Sequence, residues 1–190
     1  MNVPTVCCPT FETLCPFELY LKVDYGGEGL EMKEENCMTN TTWRDKINLT
    51  MLADFYELTM ANGYLEHGLQ DRITYFDMFF RRVPDNGGFA IMAGLEQLIA
   101  YLENLRFDDE DIEYLRSKKL FSEKFLQYLK DFRFTCDIWA VPEGTPIFPN
   151  EPIITVRGPA IQAQFIETMV LLTINHQSLI ATKANRIVRA

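Results

Sequence analysis

The chain has 190 residues, 47% of them hydrophobic and 24% charged, a balance that suits a globular fold of one domain or one and a half. Its formal net charge of -9 argues against nucleic acid or an anionic membrane surface as the main partner, and leaves room for a phosphorylated small molecule held by a few local cations. There is no run of 18 apolar residues, no signal-peptide pattern, and no cysteine spacing of the zinc-knuckle or disulfide-framework kind, so a reduced cytoplasmic setting is expected.

Residues 1–40 stand apart. They hold four of the five cysteines (Cys7, Cys8, Cys15 and Cys37) and show no sustained period of 2 or 3.6, which reads as a disordered extension. Met38 is an alternative natural start. From Leu49 the chain becomes regular. Leu52, Phe55, Tyr56, Thr59, Met60, Gly63 and Tyr64 recur at helical spacing over 51–67, with Gly68 to end the helix. Residues 72–83 are dense in aromatic and β-branched types and predict a strand, closed by the turn 84–88.

Three short helices are expected next. The first runs from Leu95 to Leu105, with Leu95, Leu98, Ile99 and Leu102 on one face. The second opens on Asp108 as N-cap, with Asp109, Glu110 and Asp111 complementing the helix dipole rather than forming a metal site. The third spans Ser122–Phe132. Five of the nine prolines lie at 142–159, around two short strand candidates, Cys136–Val141 and Ile153–Arg157. The final stretch, 159–190, starts on Pro159 and reads as helix to its last residue.

A search for chemistry without a family in mind finds little. There is no phosphate loop of the GxxxxGK[ST] kind, no GxGxxG turn and no GxSxG elbow. His67 falls at a helix end, and His176 lies in an apolar helix where a packing role is expected. Neither has metal-ligand spacing to a Cys, Asp or Glu, so no metal site is expected. Arg81 and Arg82 end the strand candidate, where alternation would send only one of them towards a pocket to hold a phosphate. Gly87-Gly88 reads first as a turn, with a phosphate approach as the second reading. Phe55 and Tyr56 are adjacent on a helix, so one could stack on a flat ligand while the other packs.

Six stretches in series carry a resemblance. They are Leu-Ala-Asp-Phe-Tyr-Glu-Leu-Thr-Met-Ala-Asn-Gly-Tyr at 52–64, Phe-Asp-Met-Phe-Phe-Arg-Arg at 76–82, and Gly-Gly-Phe-Ala-Ile-Met-Ala-Gly-Leu-Glu at 87–96. Asp-Glu-Asp-Ile-Glu-Tyr-Leu at 109–115, Pro-Glu-Gly-Thr-Pro-Ile-Phe-Pro-Asn-Glu-Pro at 142–152 and Leu-Ile-Ala-Thr-Lys-Ala-Asn-Arg at 179–186 complete them. Together they resemble the N-terminal part of the nicotinate phosphoribosyltransferases, which belong with the type II phosphoribosyltransferases.

The resemblance implies an α/β protein: an α+β N-terminal domain over 41–158, then 159–190 as the helical start of an irregular α/β barrel that 190 residues cannot complete, since a whole barrel needs about 250. It implies an enzyme that makes nicotinate mononucleotide from nicotinate and 5-phosphoribosyl 1-diphosphate with ATP hydrolysis, for NAD biosynthesis. Mg²⁺ would accompany the phosphates, and a homodimer would place the active site near the subunit interface. Residue by residue, Tyr56 matches a tyrosine that stacks on the pyridine ring across that interface, Arg81 a basic position facing phosphate, and Asp54 a more distant organiser of the same corner. The phosphorylated histidine of the family sits in a Gly-Thr-x-x-His setting that the chain does not contain, so it is expected beyond Ala190, and the chain alone is expected to be inactive. Ile174, Leu179 and Ile180 are expected to face the barrel. The alternatives are a relative acting on nicotinamide or quinolinate, and a non-catalytic short form that pairs with full-length subunits.

Overall fold

The computed structural model describes residues 19–22, 48–83 and 87–190. It is an α+β fold whose sheets are wholly antiparallel. The main sheet has the order β1-β4-β6-β2, built from β1 (Leu19–Lys22), β2 (Ile73–Met78), β4 (Asp137–Ala140) and β6 (Ile154–Pro159). A second, two-stranded sheet pairs β3 (Ala90–Ile91) with β5 (Pro146–Ile147). Strand β1 falls in the stretch for which the sequence predicts no regular element, and pairs Leu19 with Ala140 and Lys22 with Asp137. The other residues before Asn48, including the four N-terminal cysteines and Met38, lie outside the described residues, as do positions 84–86 of the predicted turn.

The described residues also form six helices: α1 (Phe55–Glu66), α2 (Leu95–Glu103), α3 (Asp109–Ser117), α4 (Glu123–Lys130), α5 (Ala160–Phe165) and α6 (Glu167–Arg189). Their termini follow the local chemistry. The Asp108 side chain accepts from the Asp111 backbone N–H at 3.0 Å while the Asp111 carboxylate accepts from the Asp108 N–H at 3.1 Å, a reciprocal cap that starts α3. The Ser122 hydroxyl accepts from the Phe125 N–H and starts α4. Helix α1 closes on Gly68 at φ +68°, with the Gly68 N–H donating to Leu65 O and the Leu69 N–H to Tyr64 O. That is the paired ending for which a left-handed glycine is needed.

The core is continuous. On the inner face of the sheet Met78, Ile138, Ala140, Ile154 and Val156 are buried, and α5 packs on β2, β6 and α1. Phe107, Phe132 and Phe165 meet with ring centroids 5.1–5.8 Å apart and tie α4 and the loop before α3 to α5. On the outer face Arg157 donates from Nε to the Tyr75 hydroxyl and from Nη1 to Asp137, both at 2.9 Å, a row that crosses three strands.

Three expectations are corrected. The final helical stretch is two helices, broken at Ile166. Ile174 is fully buried between α6 and the core, whereas Leu179 and Ile180 are exposed as expected. The strand predicted over 72–83 stops at Met78; from there on the chain still accepts backbone N–H groups from Ile153, at Met78 O, and from Asn150, at Phe80 O, but without regular strand geometry.

Candidate functional site

The six-residue corner where α1 begins is the most chemically loaded part of the fold. Helical spacing groups Phe55, Tyr56, Thr59 and Met60 on one side of α1, and the structure leaves that side outward. Glu57, Leu58, Ala61 and Leu65 are buried, while Leu52, Phe55, Tyr56 and Met60 are between 43% and 51% exposed. Apolar residues occur on both faces of this helix, so burial is decided by what α5 can cover. The outward face is therefore an aromatic and aliphatic surface with Tyr56 at its start. Of the adjacent pair, Phe55 leans edge-on against Phe121, with centroids 5.9 Å apart, and Tyr56 is also exposed beside it.

Glu57 is fully buried and turned towards the start of α6. Its Oε1 accepts from the Thr168 backbone N–H at 3.0 Å and from the Thr168 hydroxyl at 2.7 Å. Helix α6 has no side-chain cap of its own, so a carboxylate from α1 satisfies the dipole-positive end. In return the Thr168 hydroxyl oxygen accepts from the Asp54 backbone N–H at 3.3 Å, at the N-cap position of α1. Each helix start thus supplies the cap of the other. Burial pushes the Glu57 carboxyl up to about 7, against the opposing pull of the two Thr168 hydrogen bonds; the Glu167 and Asp54 charges add to the rise. The second oxygen of Glu57, the Tyr101 hydroxyl and Oε1 of Gln164 are buried with no hydrogen-bond partner.

Tyr56 ties into the same corner. Desolvation, and then its hydrogen bond to the Glu167 side chain, hold its phenol above the ordinary range. Asp54, the third predicted site residue, is exposed and makes no side-chain cap bond, so its contribution to the corner is its backbone N–H. Tyr56 and Asp54 are thus brought together.

Arg81 does not join them through any contact seen here. It lies in the bend after β2, and both Arg81 and Arg82 are exposed, so strand alternation does not sort them. At Gly87 an added Cβ would overlap the Arg186 guanidinium, so the glycine admits a side chain of this same protein. His67 caps α1, its Nδ1 2.8 Å from Gly63 O, as its position at the helix end predicts. His176 is exposed, contrary to the packing role expected of it, because α6 turns that side away from the core. Among the described residues no group of three or more His, Cys, Asp or Glu could hold a metal ion, and no helix is long and apolar enough to cross a membrane.

Glu57 and Thr168 are what sequence reasoning missed. A glutamate one position after a tyrosine on a helix reads as solvated surface, and the partner is 111 residues away. Glu143 was missed for the same reason: its Oε1 accepts from the Gly94 and Leu95 backbone N–H groups, both at 2.6 Å, and starts α2 from another loop.

The α+β fold is the one that the six sequence stretches imply. The model of the nicotinate phosphoribosyltransferase N-terminal domain matches residues 51–175. A nicotinate phosphoribosyltransferase of Mycobacterium tuberculosis is 44% identical over 140 residues, covering 74% of this chain and 30% of that protein. The Bacillus subtilis nicotinate phosphoribosyltransferase is 43% identical over 140 residues, covering 74% of this chain and 29% of its own length. The crystal structure of human nicotinic acid phosphoribosyltransferase superposes with a TM-score of 0.67 at 36% identity, over 71% of this chain and 28% of that one. The chain belongs to the nicotinate phosphoribosyltransferase family, of which it carries the N-terminal domain. It spans about three tenths of the length of the curated relatives it matches.

Proposed function

We propose that this domain serves an enzyme that joins nicotinate to 5-phosphoribosyl 1-diphosphate, giving nicotinate mononucleotide with ATP hydrolysis, on the route to NAD. The observation that carries the reading is the exposed ring of Tyr56, held at the tip of a family-matching helix while its neighbour Phe55 is engaged against Phe121. A flat pyridine ring suits an aromatic face. Tyr56 is the stacking residue, Asp54 helps to organise that corner, and Arg81, exposed in the bend after β2, faces phosphate. The apolar outward face of α1 fits a homodimer in which one subunit's Tyr56 serves the other's barrel. No carboxylate cluster among the described residues suits Mg²⁺, so the ion would arrive on the oxygens of the diphosphate and ATP.

The 190 residues contain no Gly-Thr-x-x-His, and the chemical step is assigned to a histidine outside them. The test is formation of nicotinate mononucleotide by the complete enzyme carrying this domain, with nicotinamide and quinolinate as competing bases. Tyr56→Ala should raise the KM for nicotinate and Tyr56→Phe should not. Turnover of nicotinamide or quinolinate in preference to nicotinate would overturn the base assignment.

A further inference from the structure

Two attachments join the start of α1 to the start of α6. The Asp54 N–H reaches the Thr168 hydroxyl, and the Glu57 carboxylate reaches the Thr168 N–H and hydroxyl, while the Tyr56 phenol lies near enough to Glu167 to feel its charge. Glu57 has no accessible surface, while the Tyr56 ring one position earlier is 43% exposed. An ionisable side chain in a fully buried place is costly unless it does something that an apolar side chain could not. Here the backbone N–H of Thr168 sits at a helix start with no cap of its own, and a leucine in place of Glu57 would leave it without a partner.

We propose that Glu57 is a positioning residue: its clasp on Thr168 fixes the helix turn that presents the Tyr56 ring, and thereby sets the affinity for a planar aromatic substrate. The inference rests on the stacking role given to Tyr56 above. Glu57 touches no substrate and acts through its neighbour. The charged and titratable groups facing it are Asp54 on its own helix, Glu167 on α6 and Tyr101 on α2. All are acidic, so no cation competes with Thr168 for the carboxylate.

The test compares Glu57→Ala, Glu57→Gln, Thr168→Val and Tyr56→Ala, with the double variant Glu57→Ala/Tyr56→Ala, in the complete enzyme. Nicotinate is varied at saturating phosphoribosyl diphosphate. Glu57→Ala and Thr168→Val should each raise the KM for nicotinate roughly tenfold, the worth of one aromatic stack, with kcat little changed. Glu57→Gln, which keeps an acceptor for Thr168, should restore most of the loss. The double variant should be no worse than Tyr56→Ala, because Glu57 works through that ring. Multiplying effects, or an unchanged KM in a folded Glu57→Ala, would overturn the proposal.

A substrate-free reading separates this from the base assignment. In spectra of the protein labelled at tyrosine, the Tyr56 ring signals should move to solvent-averaged values in Glu57→Ala and Thr168→Val, and stay in place in Glu57→Gln. If nicotinate is not turned over but these signals behave so, the substrate assignment fails and the clasp stands. If they stay unmoved in Glu57→Ala and Thr168→Val, the clasp fails whatever the substrate.

Discussion

Replacing Glu57 by glutamine should remove a pH dependence from the stability of the fold. The carboxyl lies at about 7 in the folded chain against an ordinary 4.5. Between those values the native state holds a proton that the unfolded chain releases, so the stabilising share of Glu57 is complete below about 4.5 and lost as pH rises through 7. A gap of roughly 2.5 units corresponds to about 3 kcal/mol at 1.36 kcal/mol per unit. Glutamine cannot ionise, so the variant should gain on the parent by about that amount between pH 4.5 and 8. In a chain of this length that is a relative shift of roughly 10 °C in the unfolding midpoint. Urea unfolding of both proteins at half-unit pH steps measures it, and other titrating groups cancel in the difference. Two stability curves that stay parallel from pH 4.5 to 8 would refute the shifted carboxyl.

Gly158→Ala should destabilise the chain by about 1–3 kcal/mol, since the new Cβ would overlap the Cys136 sulfur and lie 2.8 Å from its Cβ. Cys136→Gly in the same chain should return part of that loss, and simple additivity in urea unfolding would count against the clash. The Cys136 thiol is buried and pushed up to about 12, first by desolvation and then by the Asp137 charge. Iodoacetamide at pH 8 should therefore modify it roughly a hundredfold more slowly in the folded chain than in urea, as followed by peptide mass spectrometry. Glu143→Ala should cost about 1–2 kcal/mol by releasing the first N–H groups of α2, with Glu143→Gln recovering most of it, and an unchanged melting temperature would mean that water replaces the cap.

Local chemistry was easiest to read. Asp108, Ser122 and Gly68 each punctuate a helix within a few residues of themselves, so their signals survive in one dimension. Which face of α1 is buried was not legible, because Leu58, Ala61 and Leu65 compete with Phe55, Tyr56 and Met60, and only the placement of α5 chooses between them. Strands β3 and β5 are two residues each, too short to show alternation. At the site, Tyr56 was singled out by its motif, and the structure adds its exposure at the start of α1. Glu57 was not, because the property that matters, burial against a helix start 111 residues away, has no local signature.

Strand β1 bears on how the chain is made. In the sheet order β1-β4-β6-β2, β4 is an interior strand only because Leu19–Lys22 lies along its outer side. A product begun at Met38 would lack that strand and turn Asp137–Ala140 into a boundary. A bare boundary offers a row of backbone donors and acceptors to any passing strand, including the same one in another molecule. The choice of start would then set whether the domain stays dispersed or self-associates, quite apart from anything that happens at Tyr56.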